Sequence, residues 1–396
     1  MNVLVWRAWE PIYPFPVTFS TVELHGMGGT ETQMLWHIQH LRHMGHDVQV
    51  LGASDVDVLE HDVEFVGAPD RAAQERLMDR GTVRVPDVIL LEGGFAAAPA
   101  LRTRYPQAKL VHVGHNVDPR SDRAAFSISR YIDVHALVGP GQFADYTTRF
   151  PGLRHKFMLL RNAVPWESIH GRVERRPVGN QIVWVGAWDK KGLRDWAETM
   201  AVVLRDRPDY RWTLCVPSHG SNTALPPYLT AGLDLPADRV AVRNLPLRAA
   251  LAEMSAARVV LVSLGNETAS LACLDAHAMG RPVISGNDMV YKYANPEGTG
   301  LRVHTAQERY TAAIRLIDDP ALGDELGRRG QALVLSDFSE AMQCQDLQRL
   351  LGYLEIHERI KGPASFHARS RWVHRLQDRH HRARRNMLRI RARVIP

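Results

Sequence analysis

The sequence predicts an α/β protein of two doubly wound, Rossmann-like domains facing a central cleft, and three observations carry that prediction. First, 396 residues exceed what one core supports and suit two domains of ordinary size. Second, short β-branched runs alternate with longer segments of helical period. Third, those runs are apolar throughout, as expected of strands buried on both faces of a parallel sheet.

The first half supplies VLVW, VQVL, PDVILL, KLVHV, HALVG and FMLLRN; the second supplies QIVWVGA, WTLCVP, RVVLVSL, RPVISG and GLRVH. The opening MNVLVWRAWEP has no charged segment before its apolar run, so it reads as a first strand and not as a signal peptide. Between Asn162 and Gln181, prolines, glycines and charges interrupt any period. This places a first domain over 1–165, a linker over 166–180 and a second domain over 181–358. A helix from about Ser339 to Glu358 closes the second domain. Residues 359–396 form a basic amphipathic tail, with Trp372, Leu376, Ala383, Met387, Ile390 and Val394 recurring at helical steps. The cleft between the domains, at the carboxyl ends of the strands, is the expected ligand site.

At 45% hydrophobic and 23% charged residues, the composition excludes a disordered chain or a coiled coil. The net charge of +6 is unevenly placed: His357–Pro396 carries +10, leaving −4 for residues 1–356. The tail, over 366–396, therefore suits an anionic membrane surface, or it packs on the protein as a domain-crossing helix. Its few aromatics, Phe366 and Trp372, argue against stacking on nucleic acid. Three cysteines with no close-spaced pair give no disulfide framework or zinc site and fit a reducing cytoplasm. No apolar run reaches the roughly 18 residues of a membrane span. The expected location is cytoplasmic, with the tail as a contact to the inner membrane face.

The most informative stretch is GNETASLACLDAHAMGRPVI, Gly265–Ile284. A buried strand over 259–264 precedes it. From Ser270, Leu271, Leu274, Ala278 and Met279 follow helical spacing until Gly280 and Pro282 end it. Glu267 then sits at a strand-to-helix turn and Asp275 on the helix. Eight helical positions span about 12 Å, whereas a glycosidase carboxylate pair stands roughly 5–9.5 Å apart. Two ends of one extended ligand fit better than one shared catalytic event. Between the acids, the amides of Thr268, Ala269, Ser270 and Leu271 are the unpaired donors of a helix start, suited to a diphosphate.

Three further segments bear on the same chemistry. In GGTETQMLWHIQHLRHMGHDVQVL, Gly28 and Gly29 open a helix whose Met34, Leu35, Ile38 and Leu41 point inward. A glycine pair there permits close backbone approach to phosphate or acceptor. GMGG lacks the GxGxxG fingerprint, which argues against a dinucleotide-dependent oxidoreductase. In IVWVGAWDKKGL, Gly186 ends a strand, and Lys190 and Lys191 can neutralise a diphosphate leaving group. In KLVHVGHNVDP, His115 lies at a strand end, where it can hydrogen-bond a hydroxyl, while His112 reads as structural. The H-x2-H pair lacks the third ligand a metal needs. His37, His40, His43 and His46 recur at steps of three, drift around the helix and read as surface or interdomain residues.

Taken together, these segments resemble the retaining glycosyltransferases of family four, which have the glycosyltransferase-B fold and an E-x7-E motif. Here the motif stands as E-x7-D, followed by DAHAMGRPVI as in the family. RNAVP and NPEGTGLRV resemble the family's domain-closing and E-x-G-x-x-G segments. The resemblance implies that Glu267 contacts the donor sugar, Asp275 the nucleotide ribose, the intervening amides and Lys191 the diphosphate, and His115 the transferring sugar. It also implies metal-independent, retaining transfer of a hexose-type sugar from a nucleotide diphosphate sugar, with no cofactor, to a glycan, lipid-linked or small-molecule acceptor on the first domain. Three positions depart from the pattern: Ala187 replaces an arginine, and Ala269 and Ser270 replace an aromatic and a glycine. Lys190 or Arg194 can substitute for that arginine, or each belongs to a solvated loop. Competing readings are a nucleotide-sugar epimerase or phosphorylase on the same fold, or a non-enzymatic protein binding through the basic tail.

Overall fold

A computed structural model describes residues 1–7, 16–25, 27–68, 70–92, 95–115, 128–186, 192–216, 225–265, 270–286 and 291–357. Glu267, Thr268, Ala269, Lys190, Lys191 and the 366–396 tail lie outside the described residues. No described helix is long and apolar enough to cross a membrane.

Two sheets organise the chain. The first contains β1 (Asn2–Arg7), β2 (Asp47–Leu51), β3 (Val58–Glu60), β4 (Val63–Val66), β5 (Val88–Glu92), β6 (Lys109–Gly114), β7 (Val134–Leu137) and β8 (Phe157–Leu159), in the order 3-4-2-1-5-6-7-8. All pairings are parallel except the β3–β4 hairpin. Its two-residue turn, His61–Asp62, has positive φ at both positions, the geometry that matches strand twist.

The second sheet contains β9 (Gln181–Val185), β10 (Arg211–Val216), β11 (Val240–Asn244), β12 (Val259–Leu261), β13 (Val283–Gly286) and β14 (Gly300–Val303), in the order 11-10-9-12-13-14. Counted within the domain, that is 3-2-1-4-5-6, wholly parallel. The order in which strands are added therefore reverses between β1 and β5 in one sheet and between β9 and β12 in the other. These are the crevices where doubly wound sheets bind ligands.

The apolar runs are buried on both faces, as their composition requires. In β1, Val3 and Val5 join one core while Leu4 and Trp6 join another. In β9, Ile182 and Trp184 face one core and Val183 the opposite one. Alternate side chains of a strand point to opposite faces, so each sheet is a middle layer between helices.

The helix Glu340–Ile356, capped by Ser339, follows the second domain in sequence but packs on the first. Its Leu347, Leu350, Leu351 and Leu354, at helical spacing, enter the core built on β1 and β2. Arg161 Nε donates to Asp346 Oδ2 at 2.6 Å, and Gln343 Nε2 donates to Gln33 Oε1 and to the Arg161 carbonyl, both at 2.9 Å. The domain assignment of 181–358 to one unit is corrected accordingly: this helix crosses back because its leucine stripe completes the first core.

Candidate active site

At the first crevice, β1 ends in Arg7 and β5 in Glu92, paired in register. Glu92 is 1% exposed. Its Oε2 lies 2.5 Å from His115 Nε2, just beyond β6, and its Oε1 lies 3.1 Å from His37 Nδ1 on the helix Gly29–His43. The His37 and His115 rings stack with centroids 6.4 Å apart. Burial pushes the Glu92 carboxyl up. The charge of His115 and the hydrogen bonds from both histidines outweigh it and bring the group down to about 2. A carboxylate fixed between two imidazoles selects which ring nitrogens carry protons and locks both rings in place.

Beside this cluster, Arg7 Nη2 donates to Glu31 Oε1 at 2.5 Å, in the first turn of the same helix. Burial pushes Glu31 up, but the charge and hydrogen bond of Arg7 outweigh it and hold the carboxyl below its ordinary value. His37 and His40 are buried, at 0% and 6% exposure, so neither is a surface residue. The helix Gly29–His43 packs on the sheet and on the crossing helix, so drift around its axis buries His37 and His40 and leaves His43 exposed. His112 is structural: its Nδ1 lies 3.1 Å from His135 Nδ1, whose Nε2 meets Ser129 Oγ at 2.8 Å.

At the second crevice, Gly186 follows β9 and Gly192 caps the helix Leu193–Asp206 with φ +70°, ψ 28°. A Cβ on Gly192 would lie 2.9 Å from Leu264 Cδ1, so the chains leaving β9 and β12 pack side by side. Ser270 caps the helix Leu271–Ala278, which ends at Met279 and Gly280, the latter at φ +70°. Among the described residues, the amides of Leu271 and Ala272 meet no acceptor, leaving donors at the positive end of the helix. Arg194 is committed elsewhere, to Glu198 and to the carbonyls of Leu229 and Ala231. It is therefore not the substitute for the missing arginine. Among the described residues, no cluster of three or more His, Cys, Asp or Glu side chains could hold a metal ion.

The two crevices meet at the glycine pair. A Cβ on Gly29 would lie 2.9 Å from Leu271 Cδ1, which brings the start of the first-domain helix against the start of the second-domain helix. Gly28, Gly29, Ser270 and Leu271 are thereby gathered at one place. One turn along from Leu271, Asp275 Oδ1 lies 2.7 Å from His170 Nε2.

Residues 179–319 match the family model described as "Glycosyl transferases group 1". That segment is similar to group 1 glycosyltransferase domains. The chain as a whole has the glycosyltransferase-B fold. It superposes on sucrose-phosphate synthase from Thermosynechococcus elongatus with a TM-score of 0.70 at 18% identity, covering 90% of this chain and 99% of that one. It is also similar to Anabaena HepE in complex with UDP and glucose, with a TM-score of 0.65 at 14% identity over 89% and 100% of the two chains. A glycosyltransferase from Rickettsia africae gives 0.65 at 12% identity over 90% and 99%. No curated protein matches the sequence.

The close approach of Gly29, in the first domain, to Leu271, in the matched segment, yields a test. Gly29→Val should drive a side chain into Leu271 and push the two helix starts apart. Overpacking of this kind costs about 1–3 kcal/mol, read here as roughly a tenfold loss in kcat/KM. Leu271→Ala in the same chain should restore part of that loss, since it clears the space. Equal kcat/KM for Gly29→Val and the unaltered protein contradicts the role of this contact.

Sequence reasoning did not single out Arg7, Glu31, Glu92 or His170, and it read His37 as a surface or interdomain residue. For Glu92 a signal existed: an acid closes a buried strand immediately before Gly93–Gly94. For His170 none existed, because the linker has no period against which a residue could stand out.

Proposed function

We propose that this protein is a metal-independent, retaining glycosyltransferase that moves a hexose-type sugar from a nucleotide diphosphate sugar to a glycan, lipid-linked or small-molecule acceptor. The observation that carries the reading is a helix start whose first amides meet no acceptor among the described residues, at the β9/β12 crevice of a segment similar to group 1 glycosyltransferases, facing Gly28–Gly29 of the first domain. A UDP- and glucose-bound structural relative of the same fold supports a nucleotide-sugar donor.

In this reading the diphosphate lies on the amides of Thr268 to Leu271, with Lys190 and Lys191 as point charges and Gly186 giving room beside β9. Asp275 meets the ribose, and Glu267 and His115 orient the sugar. The bond from the anomeric carbon to the diphosphate oxygen breaks while the acceptor oxygen bonds to the same face. The acceptor's proton passes to the departing diphosphate. The protein supplies positioning and charge stabilisation, with Glu92 and His37 holding His115.

Proton NMR of the first-formed product tests the stereochemistry. The expected anomer has the donor's configuration, and turnover is unchanged by EDTA. An inverted anomer, or activity abolished by EDTA and restored by a divalent cation, contradicts the mechanism.

A further inference from the structure

The connection between the domains is a folded element in its own right. The amides of Ile169 and His170 both donate to the Pro165 carbonyl, at 3.0 and 3.1 Å; Gly171 donates to Trp166 at 2.8 Å and Arg172 to Ile169 at 3.0 Å. Second-domain groups clamp it: Val164 N donates to the Phe338 carbonyl at 2.8 Å, and Arg248 Nη2 to the Ser168 carbonyl at 3.1 Å. A turn held this way fixes the direction of any side chain it carries.

From that turn His170, 1% exposed, reaches Asp275 on the helix Leu271–Ala278. Its Nε2 donates to Oδ1 at 2.7 Å, while Nδ1 lies 3.3 Å from the Pro165 carbonyl, already anchored by two backbone amides. The ring is thus gripped at both nitrogens. Asp275 keeps 14% side-chain exposure, and its Oδ2 has no partner among the described residues. Residues four apart share a helix face, so Asp275 stands one turn along from Leu271, the residue that meets Gly29. The carboxylate therefore lies on the wall of the cleft, with one oxygen bound from behind and the other open.

We propose that His170 is a positioning residue of the donor site: it locks the Asp275 carboxylate so that Oδ2 meets a hydroxyl of the nucleoside ribose. The interdomain connection thereby becomes part of nucleotide recognition. This inference rests on the nucleotide-sugar reading above. An aspartate on a helix otherwise samples several rotamers, and a charge-assisted hydrogen bond from a buried ring removes that freedom before the ligand arrives. A site prepared in this way for one hydroxyl discriminates against an analogue lacking it, because the carboxylate oxygen is then left unpaired.

Calorimetric titration of the full chain with UDP, GDP and ADP, and with their 2′-deoxy and 3′-deoxy counterparts, tests the proposal. The unaltered protein should prefer a ribonucleoside diphosphate to one of its deoxy forms by about tenfold or more. In His170→Leu, which keeps the volume, affinity for the ribonucleotide should fall to that of the deoxy form, which itself changes less than twofold. His170→Gln, whose amide can donate to Oδ1, should retain most of the preference. His170→Ala replaces the leucine variant should that one not fold. A general structural role predicts instead that ribo and deoxy forms weaken together, and that result overturns the proposal. A preference retained in His170→Leu also overturns it. An unaltered protein that binds nucleotide without preferring either ribose hydroxyl overturns it while leaving the donor reading intact. Failure to bind any nucleoside diphosphate overturns the donor reading and this inference with it.

Discussion

Replacing Glu92 by glutamine should lower turnover about 10²-fold while the chain remains folded. Glu92 accepts hydrogen bonds from His115 and His37 with its two oxygens, deep in the first crevice. Glutamine has nearly the same shape but offers one acceptor and one donor, so one imidazole must rotate away or change its proton. The carboxylate charge that both rings face is also lost. If Glu92 acts through His115, then His115→Ala and the double variant should be about equally impaired, because removing the orienting group costs nothing once the oriented one is gone. Steady-state nucleotide release from the three variants checks this. Multiplicative losses in the double variant would show that Glu92 acts independently of His115.

Acidification should unfold the protein well before its carboxylates are titrated. Burial lowers His40 and His277 to about 4, and His135 well below its ordinary value. Each is neutral in the folded state at a pH where the unfolded chain, with histidine near 6.5, takes up a proton. The unfolded state binds more protons between about 6.5 and 4, so stability rises with pH across that window and is lost as pH falls through it. A depression of this size is worth roughly 3 kcal/mol per histidine. Two or three such groups approach the roughly 5–15 kcal/mol of a typical folded protein. Glu92, lowered to about 2, adds a second loss only below about 4.5, with the same sign. Thermal unfolding followed from pH 8 to 4 should show a steep fall in Tm beginning near 6.5. His277→Phe should flatten that slope. A Tm constant from 7 to 4.5 would contradict the assignment of these histidines as neutral.

Much of the fold was legible because both sheets are parallel and covered on both sides, which makes their central strands continuous apolar words. The strands that escaped notice were β3, β4 and β11. They are short, carry charges such as Glu60, Glu64 and Arg243, and include one edge strand of each sheet. The crossing helix was legible as a helix but not in its docking, because a leucine stripe does not name the core it completes. Gly28, Gly29, Ser270, Leu271 and Asp275, which lie where the two domains meet, were proposed from turns and helix starts, which local spacing reveals. The His37–Glu92–His115 cluster joins residues 23 to 78 positions apart through the parallel strand order. The His170–Asp275 pair joins residues 105 apart across the domain connection. Such contacts depend on which strand lies beside which, and local period carries no information about that.

The most direct test of the central claim is nucleotide release from UDP-, GDP-, ADP- and dTDP-sugars, measured with thermal shift on the unaltered protein and on Glu267→Ala. The account predicts that one nucleotide sugar raises Tm and is turned over, and that Glu267→Ala loses turnover by about 10²-fold or more. If no nucleotide sugar stabilises the protein, or if Glu267→Ala releases nucleotide at the unaltered rate, the account is wrong.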